Sequence, residues 1–286
     1  MIKPYIQLLR PRHYLKNALI FLPLIFSGLL LNSHALASSV AAFAAFSLLA
    51  STVYIINDLR DKELDKLHPK KKFRPLASGA VSTPAAITMV VLLLVLVAVF
   101  QYLANFSVIG FGLLGFYLLI NVLYSFGLKN IPIVDIAILS LGFVIRVFYG
   151  ADAIDVDVSN WLYLAVLASS FYLGLGKRRN EIKGLGTSTR KVNRHYTQEF
   201  LDKNMYVCLG LTIVYYSLWA IDPNQPVKLM FLTVPVVIAI VMTYSLAVES
   251  AESDGDPVNV LMSSRPLIGL VLLYGALMTG LVYLQP

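Results

Sequence analysis

The chain has 286 residues, of which 58% are hydrophobic and 14% charged, a balance that excludes an ordinary soluble enzyme or binding module. Its net charge of +7 does not imply a nucleic-acid partner, because the basic residues gather in short loops between apolar runs, where the positive-inside rule accounts for them. One cysteine, Cys208, excludes an internal disulfide and any cysteine-based metal cluster.

In chain order, Met1 to Arg12 carries charges but no small-residue cleavage site after a short apolar core, so the first helix is expected to stay on the protein. Apolar runs then recur to the last residue, and helices satisfy every backbone group within lipid. The expected fold is therefore all-α, a polytopic bundle of about nine transmembrane helices in one integral-membrane domain over residues 1–286. The spans fall near Tyr14 to Leu31, Leu36 to Ile56, Pro84 to Ala104, Val108 to Phe126, Ile131 to Gly150, Ser159 to Gly176, Asn204 to Ile221, Val227 to Val248 and Pro266 to Leu284. Lys3 to Lys16, the Arg60 to Arg74 cluster, Lys129 and Lys177 to Lys203 then lie on one side, which the positive-inside rule makes cytoplasmic.

Charges are packed most densely between two long apolar runs in YIINDLRDKELDKLHPKKKFRPLASG, from Tyr54 to Gly79. Asn57, Asp61 and Asp65 are four apart, so on a helix they drift only about 40° per step and share a face. With Asp58 one position round, this amide and carboxylate set suits magnesium, which takes one or two protein carboxylates and completes its shell with phosphates and water. Lys70, Lys71, Lys72 and Arg74 follow and can meet the phosphates. The bland alternative is a solvated helix with pairs such as Asp58 and Lys62. The direct run of an apolar span into N-D-x-x-D-x-x-x-D favours the metal and phosphate reading.

A second charged extension, LGKRRNEI, is basic where the first is acidic. Lys177 and Glu181 are spaced to form a helix-surface pair, and with Arg178 and Arg179 they equally suit an anion site. Lys129 ends the fourth span, Asp135 enters the fifth, and Arg146 lies deep within it. A charge at that depth faces the bundle interior or a wet cavity, or pairs with a carboxylate such as Asp135. Arg10 and Lys16 can reach the same mouth or snorkel to headgroups. The Asp152, Asp155 and Asp157 set and the Glu249 to Asp256 stretch are expected to be solvated loops. No P-loop, G-x-S-x-G or dinucleotide fingerprint occurs.

These residues resemble the UbiA superfamily of intramembrane prenyltransferases, with N-D-x-x-D-x-x-x-D after the second span. Most of that family carries a second Asp-rich motif after the sixth span, where this chain has Lys177, Arg178, Arg179, Asn180 and Glu181. RPRHYLKN, HPKKKFRPLASG, LKNIPIVDI, GFVIRVFYGA, SNW, LGKRRNEI and HYTQEFLD are similar to one branch, the decaprenyl-phosphate phosphoribosyltransferases. The resemblance implies transfer of 5-phosphoribose from phosphoribosyl diphosphate to a polyprenyl phosphate, releasing diphosphate, as a step toward lipid-linked pentose for the cell envelope. It implies Mg2+ on Asn57, Asp58, Asp61 and Asp65, with Asn57, Asp61, Asp65 and Lys177 catalytic. Lys16, Tyr54, Asp58, Lys72, Arg74, Lys129, Arg146, Arg178 and Glu181 would bind substrate. The location implied is a bacterial cell membrane, with the active site on the cytoplasmic face, contact with membrane lipid, no nucleic acid, and homo-oligomer formation left open. One acidic and one basic cluster suit a diphosphate donor and a monophosphate acceptor. The alternatives are an aromatic prenyltransferase using a prenyl diphosphate, such as a 4-hydroxybenzoate polyprenyltransferase, and, remotely, a transporter.

Overall fold

The computed structural model describes residues 2–69, 71–105, 107–185, 191–223, 227, 229–250 and 253–283, so Lys70 lies outside the described residues. Within them the chain is helical and contains no strand. Helices α1 (Lys3–Leu9), α2 (Leu22–Phe26), α3 (Ser33–Arg60), α4 (Lys62–Leu67), α5 (Thr83–Ala104) and α6 (Val108–Phe126) form the first half. The second half has α7 (Val134–Ala153), α8 (Asn160–Leu185), α9 (Gln198–Ala220), α10 (Val234–Glu249), α11 (Pro257–Ser263) and α12 (Arg265–Tyr283). A 3-10 segment, Pro11–Phe21, joins α1 to α2, and another, Met230–Thr233, leads into α10.

Local sequence sets several of these ends. The Asn32 side chain accepts from the amides of His34 and Ala35 at the start of α3, while Ser82, Ser107 and Thr197 do the same for α5, α6 and α9. Asp256 caps α11, with Pro257 in its first turn.

Six described stretches are long and apolar enough to cross a membrane: α3, α5, α6, α7, Met230–Glu249 and α12. The protein is thus a multi-pass membrane protein. The other three expected spans fall on Pro11–Phe21 with α2, on α8 and on α9. These are helical, but the first is broken into short pieces, and α8 and α9 carry charged and tyrosine residues that lower their hydropathy. By length and composition six helices among the described residues qualify, so the expected count of about nine is not confirmed.

The chain divides into two compact units. The first comprises Met1–Leu24, Leu30–Leu128 and Ile145–Val156. Its centre is α3, whose buried face is lined by Ser38, Ser39, Ala42, Ala45, Ser47 and Ala50. Small side chains let helix backbones approach closely where lipid offers no hydrophobic drive. Leu8, Ile55, Leu76, Val81, Ala86 and Leu93 form its apolar core near the end of α3. Gly150 meets the backbone of Ile20 so closely that a Cβ would overlap the Ile20 carbonyl.

The second unit comprises Ile25–Leu29, Lys129–Val144 and Asp157–Pro286. One of its cores gathers Ile136, Tyr172, Leu175, Val192, Leu201 and Met205, and another gathers Leu162, Tyr216, Trp219, Met230 and Met278. Cys208 packs at the edge of the first of these cores. Leu246, Leu272 and Met242 are among the exposed apolar side chains of α10 and α12, which the acyl chains would cover.

Candidate active site

In the first unit, α3 does not run unbroken through the acidic motif. It ends at Arg60, and Asp61, with φ −86° and ψ 5°, forms a hinge before α4. The Asp61 amide donates to the Asn57 carbonyl at 2.9 Å and the Asp65 amide to the Asp61 carbonyl at 2.8 Å. The i to i+4 ladder persists across the bend.

The four candidate ligands differ in surroundings. Asn57 Oδ1 accepts from Ser125 Oγ at 3.1 Å. Asp58 is 2% exposed, and its Oδ1 accepts from Arg10 Nη2 at 2.6 Å and Arg74 Nη1 at 3.0 Å. Asp65 is 4% exposed; its Oδ2 accepts from the same Arg74 nitrogen at 2.7 Å, and Lys71 Nζ lies 4.0 Å from Oδ1. Asp61 is only partly buried. Glu63, on the outer side of α4, has its carboxyl pulled below the usual range by Lys66, at 2.8 Å.

Two arginines therefore buttress the acidic face. Arg10 occupies the left-handed region at φ 53° and ψ 55°, uncommon for a side-chain-bearing residue. Its guanidinium lies 4.9 Å from the Tyr54 ring centre, and Tyr54 packs on His13. Lys72 extends over Phe73 in the exposed loop, and Lys16 is half-buried in the 3-10 segment.

Arg146 is 6% exposed. Its Nε donates to Asn17 Oδ1 at 2.8 Å and its Nη2 to the Tyr117 hydroxyl at 3.3 Å, while its guanidinium carbon lies 4.7 Å from the centre of the Phe46 ring. Asn17 in turn donates to Ser47. The charge is thus held by an amide, a hydroxyl and two aromatic faces, tying the 3-10 segment to α3, α6 and α7.

In the second unit, LGKRRNEI lies in the C-terminal half of α8. Arg178 is fully buried, its Nε donating to Asp135 Oδ2 and its Nη1 to Glu181 Oε2, both at 2.6 Å. Asp135 is also fully buried and takes the Tyr196 hydroxyl on its other oxygen at 2.6 Å. Arg179 pairs with Asp202, and Asn180 donates to the Val248 carbonyl at 2.6 Å. Glu181 is thus bonded to Arg178. Arg178, expected to touch substrate, is fully buried and paired with Asp135 and Glu181.

Lys177 is the more accessible cation of this set, with a side chain 29% exposed and its Nζ 3.7 Å from Asp256 Oδ2. The stretch carrying Asp256 is not the solvated loop expected. Asp256 is 8% exposed, and Gly255, at φ 71°, lies so near α8 that a Cβ there would sit 2.9 Å from the Gly176 carbonyl and from Lys177 Cα. Lys129 sits half-buried in the turn before α7.

Asp152, in the other acidic set, accepts from Ser107 at 2.8 Å near the start of α6, a structural cap rather than a metal group. Among the described residues no three of His, Cys, Asp and Glu cluster as a ready-made metal cage. The side-chain oxygens of Asn57, Asp61 and Asp65 are hard donors of the kind magnesium takes.

Sequence reasoning missed Asp135 as the partner of Arg178 and Tyr196 as the partner of Asp135, and it read Asp256 as part of a solvated loop. Tyr196 and Asp135 stand 61 positions apart, and no periodicity links them.

These features define a polytopic helical membrane protein with an arginine-buttressed acidic helix end in one unit and a carboxylate-caged basic one in the other. The chain belongs to the UbiA prenyltransferase family, whose model matches residues 21–264. It is 31% identical to a decaprenyl-phosphate phosphoribosyltransferase of Corynebacterium glutamicum over 98% of this chain and 87% of that protein. To the decaprenyl-phosphate phosphoribosyltransferase of Mycolicibacterium smegmatis it is 32% identical, covering 93% and 88%. Its fold is similar to that of a UbiA homologue from Archaeoglobus fulgidus solved with GPP and Mg2+, with a TM-score of 0.75, 19% identity, and coverage of 97% and 99%.

Proposed function

We propose that this chain transfers 5-phosphoribose from phosphoribosyl diphosphate to a polyprenyl phosphate. The observation that carries the reading is the chemical asymmetry of the two helix ends. Asn57, Asp61 and Asp65 offer oxygen donors for a cation, whereas Lys177, the accessible cation of LGKRRNEI, offers positive charge. A diphosphate donor needs the first and a lipid monophosphate the second. The similarity to decaprenyl-phosphate phosphoribosyltransferases over nearly the whole chain supports the same choice.

In the reaction an oxygen of the lipid phosphate bonds to the ribose C1 carbon while the bond from C1 to the diphosphate oxygen breaks. The acceptor is already anionic, so no general base is needed. Mg2+, held by Asn57, Asp61 and Asp65, would supply neutralising charge to the leaving group. Arg74, 27% exposed, and Arg10, 22% exposed, stand beside those carboxylates and can meet donor phosphates. Lys16 and Lys72 extend that contact, and Tyr54 supports Arg10. Lys129 and Lys177 neutralise the remaining phosphate charge. Asp58, Arg146, Arg178 and Glu181 serve from behind, each fixing a neighbouring charge or segment. Catalysis is then positioning plus electrostatic stabilisation. The site would face the cytoplasm of a bacterial cell, with the polyprenyl tail in lipid.

The test is a detergent-solubilised assay with magnesium. One mixture holds labelled phosphoribosyl diphosphate and polyprenyl phosphate; the other holds a prenyl diphosphate and 4-hydroxybenzoate. Transfer is expected in the first, and product only in the second would assign the chain to aromatic prenylation. Lys177→Met is expected to raise KM for one phosphate substrate by about tenfold, the worth of one charge-assisted hydrogen bond. Unchanged kinetics would return Lys177 to a topological role.

A further inference from the structure

We propose that Tyr196 is a positioning residue: its hydroxyl holds Ile133, at the end of the turn that begins at Lys129, in the left-handed region and so fixes Lys129 for a substrate phosphate. The nature of that phosphate rests on the phosphoribosyl-transfer reading; the geometry of the turn does not.

Ile133 has φ 68°, a region a β-branched residue adopts only when its surroundings impose it. Its side chain is 58% exposed, so packing of that side chain does not impose it. The backbone does: the Ile133 amide donates to the Tyr196 hydroxyl at 2.6 Å, and that hydroxyl donates to Asp135 Oδ1 at 2.6 Å. Neither partner is loose. Tyr196 is 5% exposed and stacks on Phe200 at 6.0 Å between ring centres. Asp135 is fully buried, and its second oxygen is taken by Arg178. Burial and the Asp135 hydrogen bond push the Tyr196 phenol well above its ordinary range, so it remains a donor at any working pH.

Lys129 feels this lock because the intervening chain is stiff. Leu128–Asn130 is a 3-10 turn, Pro132 has a fixed φ, and Ile131, before the proline, is restricted too. The Asp135 amide also donates back to the Ile131 carbonyl at 3.1 Å, tying the turn to the first turn of α7. A change of φ at Ile133 must therefore swing the segment bearing Lys129.

Tyr196→Phe keeps the ring and removes the hydroxyl. It is expected to raise KM for one phosphate substrate about tenfold with kcat within about twofold, the pattern of lost uniform binding. Lys129→Met should raise KM for the same substrate, and the two changes together should add little beyond either. Because glycine adopts positive φ freely, Ile133→Gly in the Tyr196→Phe protein should bring KM back to within about threefold of wild type. A merely structural tyrosine would not be rescued by a backbone change at a distant position. Unchanged KM in a folded Tyr196→Phe protein, failure of the Ile133→Gly rescue, or full additivity with Lys129→Met would each overturn the proposal. Hydrogen exchange at the Ile133 amide reads the turn without the assay and should quicken at least about tenfold in Tyr196→Phe. An unchanged rate overturns the lock even if the transfer assay shows no phosphoribosyl product, whereas absence of product in wild type alone sinks only the functional reading.

Discussion

Asp61→Asn is expected to lower phosphoribosyl transfer at least about a hundredfold, the cost of removing a group that stabilises charge on a leaving group. The choice of Asp61 over its neighbours follows from burial. Asp58 and Asp65 sit under Arg10 and Arg74, at 2% and 4% exposure, so changing either confounds chemistry with folding. Asp61 is only partly buried and occupies the hinge between α3 and α4, where its backbone carries the helical ladder. Asparagine keeps that backbone and the side-chain shape while halving the oxygen donors and removing the charge. Melting in detergent should therefore match wild type. An Asp61→Asn protein with full activity would remove the proposed metal role.

The largest loss of stability is expected from Arg178→Met. Arg178 and Asp135 are both fully buried, and the carboxylate retains only the Tyr196 hydroxyl once the guanidinium is gone. Stranding one partner of such a pair costs about 3–5 kcal/mol, because the residual charge keeps its desolvation cost without its attraction. Denaturation of the purified protein should show that loss. Removing the second charge as well, with Asp135→Asn, should recover part of it, since replacing both members of a buried pair is often near neutral. A single mutant as stable as wild type would mean that water reaches the pair.

The acidic motif and the helical bundle were legible because both rest on local spacing. Asn57, Asp61 and Asp65 repeat at the helical period, and α6 begins and ends at the residues where the apolar run does. The hinge at Asp61 was not, because the residues there are ordinary helix formers or neutral to it. Long-range pairing was the main loss. Asp135 stood only as an alternative partner for Arg146, about three helical turns along α7, and no local spacing pointed beyond that helix. The true partner, Arg178, is 43 positions away. The acidic stretch at Asp254 and Asp256 looked solvated because it lacks regular ligand spacing. The informative residue there is Gly255, whose positive φ and missing Cβ admit the chain against α8.

Arg74 Nη1 reaches Asp58 and Asp65 at once, and Arg10 shares Asp58. Two guanidinium charges thereby offset two carboxylates before any ligand arrives. Under the proposed function, a dication or a diphosphate arriving alone must disturb these pairs without replacing both halves. Each becomes attractive once the other is present, when the arginines can exchange carboxylate oxygens for phosphate oxygens. The kinetic corollary is an order of addition: the cation and the diphosphate donor should enter as one complex, with rates following its concentration rather than that of either species alone.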